Sequence, residues 1–116
     1  MGFKFQDNII RLEFETRTFE VSPIETARIM SRITGKANET DRKVISGEMD
    51  IDSAIREIVC DIDDILGAGG CAEIFHGRTV RYEDLADVVA YIGEELGKYF
   101  KRKKYAYKNN KGKKHV

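Results

Sequence analysis

Apolar and polar residues alternate with a period of two near the start of the chain. Ile9-Ile10-Arg11-Leu12-Glu13-Phe14 leads into Thr18-Phe19-Glu20-Val21, with Thr16-Arg17 between them. Leu12 and Phe14, then Phe19 and Val21, fall on one side, and charged residues or Thr18 on the other. β-branched and aromatic residues in this order predict a half-buried β-hairpin within residues 3–21. Phe3 and Phe5 alternate as well, which leaves room for a third short strand, with Asp7-Asn8 as its turn. A two-stranded hairpin is marginal alone and needs a partner over its apolar face.

From Ser22 the period changes to that of a helix. Ser22-Pro23-Ile24-Glu25 is a capping box with proline at the first helical position. Ile24, Ala27, Met30 and Ile33 are expected on one face, with Gly35 as the stop. Residues 36–50 are polar and weakly patterned, with Val44-Ile45 the only apolar pair before Met49, and read as a loop with a short helix. Asp50 or Asp52 then caps a second helix whose stripe is Ile51, Ala54, Ile55, Ile58, Val59, Ile62, Ile65 and Leu66. Gly67 suits its end. A short helix over 72–75 is expected between Gly69-Gly70 and Gly77. A last helix starts near Tyr82, with Leu85, Val88, Val89, Ile92, Leu96, Tyr99 and Phe100 as its stripe, and fades between residues 101 and 107. The expected fold is α+β and mostly α: an N-terminal hairpin, of two or three short strands, followed by about four helices. Residues 1–100 form one globular domain and 101–116 a basic, disordered tail.

Composition narrows the function classes. The chain has 116 residues, of which 41% are hydrophobic and 34% charged, with no Trp. That suits a single helical domain with a wet outer face. Two cysteines, Cys60 and Cys71, make no disulfide framework and read as reduced thiols, Cys60 as a small core residue. No apolar run approaches the length of a membrane span, and the N-terminus lacks the apolar region of a signal peptide. Met1-Gly2 has Gln6 where a myristoylation site needs Ser or Thr. The expected location is the cytoplasm, with no membrane partner.

A formal net charge of zero conceals an asymmetry. Residues 98–116 hold nine basic residues and no acidic one, which leaves 11 basic against 20 acidic in residues 1–97, a net of −9. The tail basics after Lys98 are Lys101, Arg102, Lys103, Lys104, Lys108, Lys111, Lys113 and Lys114. Tyr99, Phe100, Tyr105 and Tyr107 lie among them, a mixture that suits single-stranded nucleic acid.

The sequence carries no motif for site chemistry. Asp61, Asp63 and Asp64 do not fit a calcium loop, because Ile65, Leu66 and Ala72 stand at positions five, six and twelve. They read as the solvated face of a helix. Gly67-Ala68-Gly69-Gly70 lacks the Gly-Lys-Ser/Thr of a phosphate loop and follows a helix, so it reads as a helix stop and restart. Cys71, His76 and His115 have no zinc-ligand spacing. No cofactor, metal or catalytic group is expected, and the chain does not read as an enzyme.

Two segments carry a family resemblance. The first is Asp64-Ile65-Leu66-Gly67-Ala68-Gly69-Gly70-Cys71-Ala72-Glu73-Ile74-Phe75-His76-Gly77-Arg78. The second is Tyr82-Glu83-Asp84-Leu85-Ala86-Asp87-Val88-Val89-Ala90-Tyr91-Ile92, followed by the lysine-rich end. Over residues 50–105, and loosely in the hairpin, the chain resembles the small tail assembly chaperones of long, non-contractile-tailed phages and prophages of Gram-positive bacteria. In that family an ILGEG…KIFGGR type segment precedes a DLLDVYNYI type helix. The resemblance implies a non-catalytic protein of the host cytoplasm that binds the tape measure protein, helps recruit tail tube subunits and is absent from the mature virion. Many members of that family exist in a short form and a longer, frameshifted one, and the basic stretch Lys108 to Lys114 is compatible with the short form. Leu85, Val88, Val89, Ile92, Leu96, Tyr99 and Phe100 are the expected partner-binding surface, for a client or for a second copy in self-association. The alternatives are a small nucleic-acid-binding protein using the basic tail, and a structural tail or connector subunit.

Overall fold

A computed structural model describes residues 8–113, with side chains through Lys104. Strands β1 (Ile10–Glu13) and β2 (Thr18–Val21) precede helices α1 (Pro23–Ser46), α2 (Ile51–Leu66), α3 (Gly70–Phe75) and α4 (Tyr82–Lys113). The α+β, mainly helical architecture is the one the periodicities predict. Phe3 and Phe5 lie outside the described residues.

The strands pair antiparallel with Ile10 opposite Val21 and Leu12 opposite Phe19. These four side chains point inward and are buried. Arg11 and Glu20 face each other on the wet side at 3.6 Å. The turn is Glu15-Thr16, and the Phe14 and Arg17 main chains close it with two hydrogen bonds of 2.9 and 3.3 Å.

Ser22 caps α1 by accepting the Glu25 N–H at 3.3 Å. The helix does not stop at Gly35. It continues through the polar segment read as a loop with a short helix and ends at Gly47, whose φ of 81° and N–H bond to the Val44 carbonyl make an αL cap. One glycine costs a helix about 1 kcal/mol, and the segment recovers this by local and tertiary pairing. Glu39 lies 3.9 Å from Arg42 and 3.8 Å from Lys43, and Asp41 accepts the Tyr82 hydroxyl at 2.6 Å. The buried face also differs from the expected one. Thr26, Ile29 and Ile33 face the core, and Ile24 is 63% exposed.

Asp50, not Asp52, caps α2. Asp61, Asp63 and Asp64 near the end of α2 have separate tasks, and the solvated-face reading holds only for Asp64. Asp61 is buried and accepts Arg32 at 2.8 and 3.2 Å and Lys36 at 3.1 Å. Asp63 accepts the main-chain N–H of Cys71 at 2.8 Å, capping the start of α3. Asp64 accepts at 2.7 Å from the same Arg32 Nη2 that also serves Asp61. A buried carboxylate persists only when its lone pairs are satisfied, and here two cations from α1 do so.

α1 and α4 run antiparallel, with Met30 against Gly93 and Asp41 against Tyr82. The core has two lobes. Ile10, Leu12, Phe19, Val21, Ile29, Ile33, Ile65, Ile92 and Tyr99 form the first, between the hairpin and the long helices. Ile62, Cys71, Phe75 and Leu85 form the second, between α2, α3 and α4. Leu66, Ile74, Val88 and Val89 pack against both. Cys60 is exposed and Cys71 is buried, so the core cysteine is the reverse of the one expected. α4 passes through the segment read as a disordered tail and reaches Lys113. Lys and Arg are good helix formers and no proline interrupts them. Among the described residues no helix is long and apolar enough to cross a membrane.

Candidate binding cleft

The cleft is assembled by the glycines after α2. Gly67 and Gly69 have φ of 107° and 76° and reverse the chain. Gly70 then lies so close to α2 that a Cβ there would stand 2.6 Å from the Leu66 Cβ. This packing brings α3 under the hairpin tip. His76 and Gly77, both with positive φ, end α3 and send the chain outward to Arg78.

The hairpin tip is tied to α3 and α4. Thr16 donates its hydroxyl to the Glu73 carbonyl at 3.1 Å. The Arg17 guanidinium binds the Glu73 carboxylate and stacks 4.4 Å from the Phe19 ring centroid. Phe14 meets Phe19 and Tyr91 edge-on, with centroid separations of 5.9 and 5.4 Å. Aromatic pairs in this geometry are favourable beyond the area they bury.

Between these walls lies a cavity of about 540 Å³. Phe14, Ile74, Phe75 and Val88 supply its apolar lining, and Arg78, Thr79, Arg81 and Asp84 its polar margin. A second cavity of about 310 Å³ shares Phe14 and Val88 and adds Tyr91, Glu13, Glu15 and Asp87. Arg78 reaches Glu15 at 3.5 Å, joining the margins of the two cavities. Arg81 is held to Asp84 at 3.0 Å, and this hydrogen bond, with the charges of Asp84 and Glu83, raises its pKa. An apolar floor with a few charged groups at its edge is suited to holding a side-chain row of another molecule.

The expected partner-binding stripe is mostly core. Leu85 and Ile92 are fully buried and Tyr99 is 8% exposed. Val88, Val89 and Leu96 are half-buried against the same core. Leu85, Ile92 and Tyr99 therefore serve packing, because α4 is covered by the hairpin on one side and by α1 and α2 on the others. Val88 alone of the seven lines the cleft, and Phe100, 41% exposed, is the one left on the surface. Of the cleft residues, Phe14 was marked by the strand alternation, while Ile74, Phe75 and Arg78 stood only within the segment that carries the family resemblance and were not read as a binding surface.

Of the basic residues, Lys101, Arg102 and Lys104 are exposed. Lys103 is half-buried, with its ammonium 5.7 Å from the Tyr99 ring centroid. Lys108, Lys111 and Lys113 lie within the span of α4, and Lys114 and His115 lie outside the described residues. Burial, then Asp63, pushes the Cys71 thiol up to about 11, which makes it a poor nucleophile. His76 is exposed. Among the described residues no group of three or more His, Cys, Asp or Glu is placed to hold a metal ion. Compared with protein-family models, curated proteins and solved structures, the chain gives no match.

Proposed function

We propose that this chain is a phage tail assembly chaperone: a non-catalytic protein that binds the tape measure protein in the host cytoplasm, helps bring tail tube subunits to it, and is left out of the finished particle. The sequence resemblance over residues 50–105 suggests the family. The structural observation that supports it is the open cleft lined by Phe14, Ile74, Phe75 and Val88, bordered by the long helix α4. An amphipathic helical client presents apolar residues at i, i+3, i+4 and i+7, and such a row fits an apolar groove beside a helix. Co-expression with the tape measure protein tests the reading, at moderate salt and with nuclease. A soluble complex is expected. Tape measure solubility unchanged by the chain would reject it, and recovery of the chain from purified particles would favour a structural tail or connector subunit.

A second reading has an observation of its own. Lys101, Arg102 and Lys104 are exposed on α4, past the residues that α1 covers, and could meet nucleic acid phosphates. Binding of that kind weakens steeply as salt rises. It should disappear when residues 101–116 are removed, and no binding at low salt would end this alternative.

A further inference from the structure

We propose that the cleft takes one amphipathic helical segment of about three turns, carrying a carboxylate beside its apolar row, and that this carboxylate draws Arg78 away from Glu15. The inference rests on the client-site reading above and specifies the chemistry of the client.

The length comes from α4. The two cavities run along it from residue 81 to residue 91, a rise of about 15 Å. A segment lying alongside spans about ten residues, with two or three apolar side chains facing the floor at helical spacing.

The charge comes from the margins. Arg78 lines the larger cavity and is 76% exposed; Glu15 lines the smaller and is 86% exposed. An ion pair so open to water contributes little, and an incoming carboxylate can replace Glu15 at small cost. Arg81 lies at the same end but is already held by Asp84 in two hydrogen bonds of 3.0 and 3.4 Å. Beyond the Arg78–Glu15 pair the smaller cavity is anionic, with Glu13 and Asp87 on its margin. A segment is therefore complementary when its acidic residue stands at the Arg78 end and any basic residue at the Asp87 end. Complementary margins fix orientation and exclude wrong partners more than they add affinity.

The test uses the full-length protein and three labelled synthetic helical peptides of about twelve residues. They share one apolar row and carry Glu, Gln or Lys at the flanking position. At low salt the Glu peptide should bind about fivefold tighter than the Lys peptide, the range of a surface ion pair, and added salt should shrink the difference. Arg78→Glu should reverse the order, and Glu15→Gln, which releases Arg78, should tighten the Glu peptide. Both substitutions are at exposed positions, and circular dichroism checks that each variant is folded. Equal binding of the three peptides overturns the charge assignment and leaves the client-site reading standing. No binding of any peptide, while the tape measure protein is still captured in co-expression, places the client elsewhere and overturns this inference. No binding with no capture overturns the reading beneath it.

Discussion

The Tyr91 hydroxyl accepts the main-chain N–H of Glu13 at 2.9 Å, at the last residue of β1. One side chain of α4 thus satisfies the end of the strand while its ring supports Phe14 at the edge of the cleft. Tyr91→Phe keeps the ring and removes the bond. The group lies near water, so the loss should be about 0.5–1 kcal/mol by denaturant unfolding. The Glu13 amide should also exchange faster with solvent than in the parent. A Glu13 amide of unchanged protection would show that the bond does not hold the strand.

Two glycines should answer oppositely to alanine. Gly70→Ala places a methyl against Leu66, with Phe19 next at 3.5 Å. Backbone and a core side chain must then shift, a cost of about 1–3 kcal/mol. Gly97→Ala meets nothing within 4 Å on α4 and should stabilise by up to about 1 kcal/mol through helix propensity. Thermal unfolding of the pair decides the matter; a neutral Gly70→Ala would mean that α3 is free to move off α2.

The two thiols should differ in reactivity. Cys60 is exposed, and Cys71 is buried with its pKa pushed up to about 11. The thiolate is the reacting species, so an alkylating reagent at pH 8 should modify Cys60 in the native protein and Cys71 only after denaturation. Peptide mapping reads the ratio directly. Equal labelling under native conditions would show α3 opening on the timescale of the reaction.

Asp50 carries a pH dependence. It accepts the Ser53 N–H at 2.8 Å and the Ser53 hydroxyl at 3.2 Å. These bonds, the main-chain one first, hold its carboxyl below the ordinary value of 3.8. A depressed folded pKa gives stability that is present above the unfolded value and is lost as pH falls through the folded one. The first turn of α2 should therefore stay capped at neutral pH and fray in acid below 3.8. Ser53 amide exchange followed against pH should show the step, and Asp50→Asn, which keeps an acceptor without the charge, should abolish it.

The elements were legible where the signal is local. The alternation at Leu12 and Phe19, the Ser22-Pro23 cap and the α2 stripe from Ala54 to Leu66 depend on neighbours in sequence, and the structure places them as read, while Ile51 at the head of that stripe is 44% exposed. Residues 36–46 were misread because their helix is sustained from outside, by Asp61 on Lys36 and Tyr82 on Asp41. The site was less legible still. Its floor joins Phe14, Ile74 and Val88 from a strand end, a short helix and a long one, and no periodicity links such positions. The stripe of α4 was identified correctly as apolar, but sequence alone cannot say which apolar face is covered, and Leu85 and Ile92 proved to be inside.

The pairing of Asp61 with α1 bears on how the two helices keep their alignment. Arg28, Arg32 and Lys36 form a ladder of cations at four-residue steps, one rung per turn or about 5.4 Å. Sliding α1 by one turn along α2 would still leave a positive rung opposite Asp61. Charge is therefore nearly degenerate among three alignments. Side-chain size separates them. In one direction Ala37 would stand where Ile33 does and Met30 where Thr26 does, leaving a void beside an overfilled slot. In the other, Glu25 would replace Ile29 in the core. The ion pairs hold α1 against α2, and the isoleucines decide which rung is used.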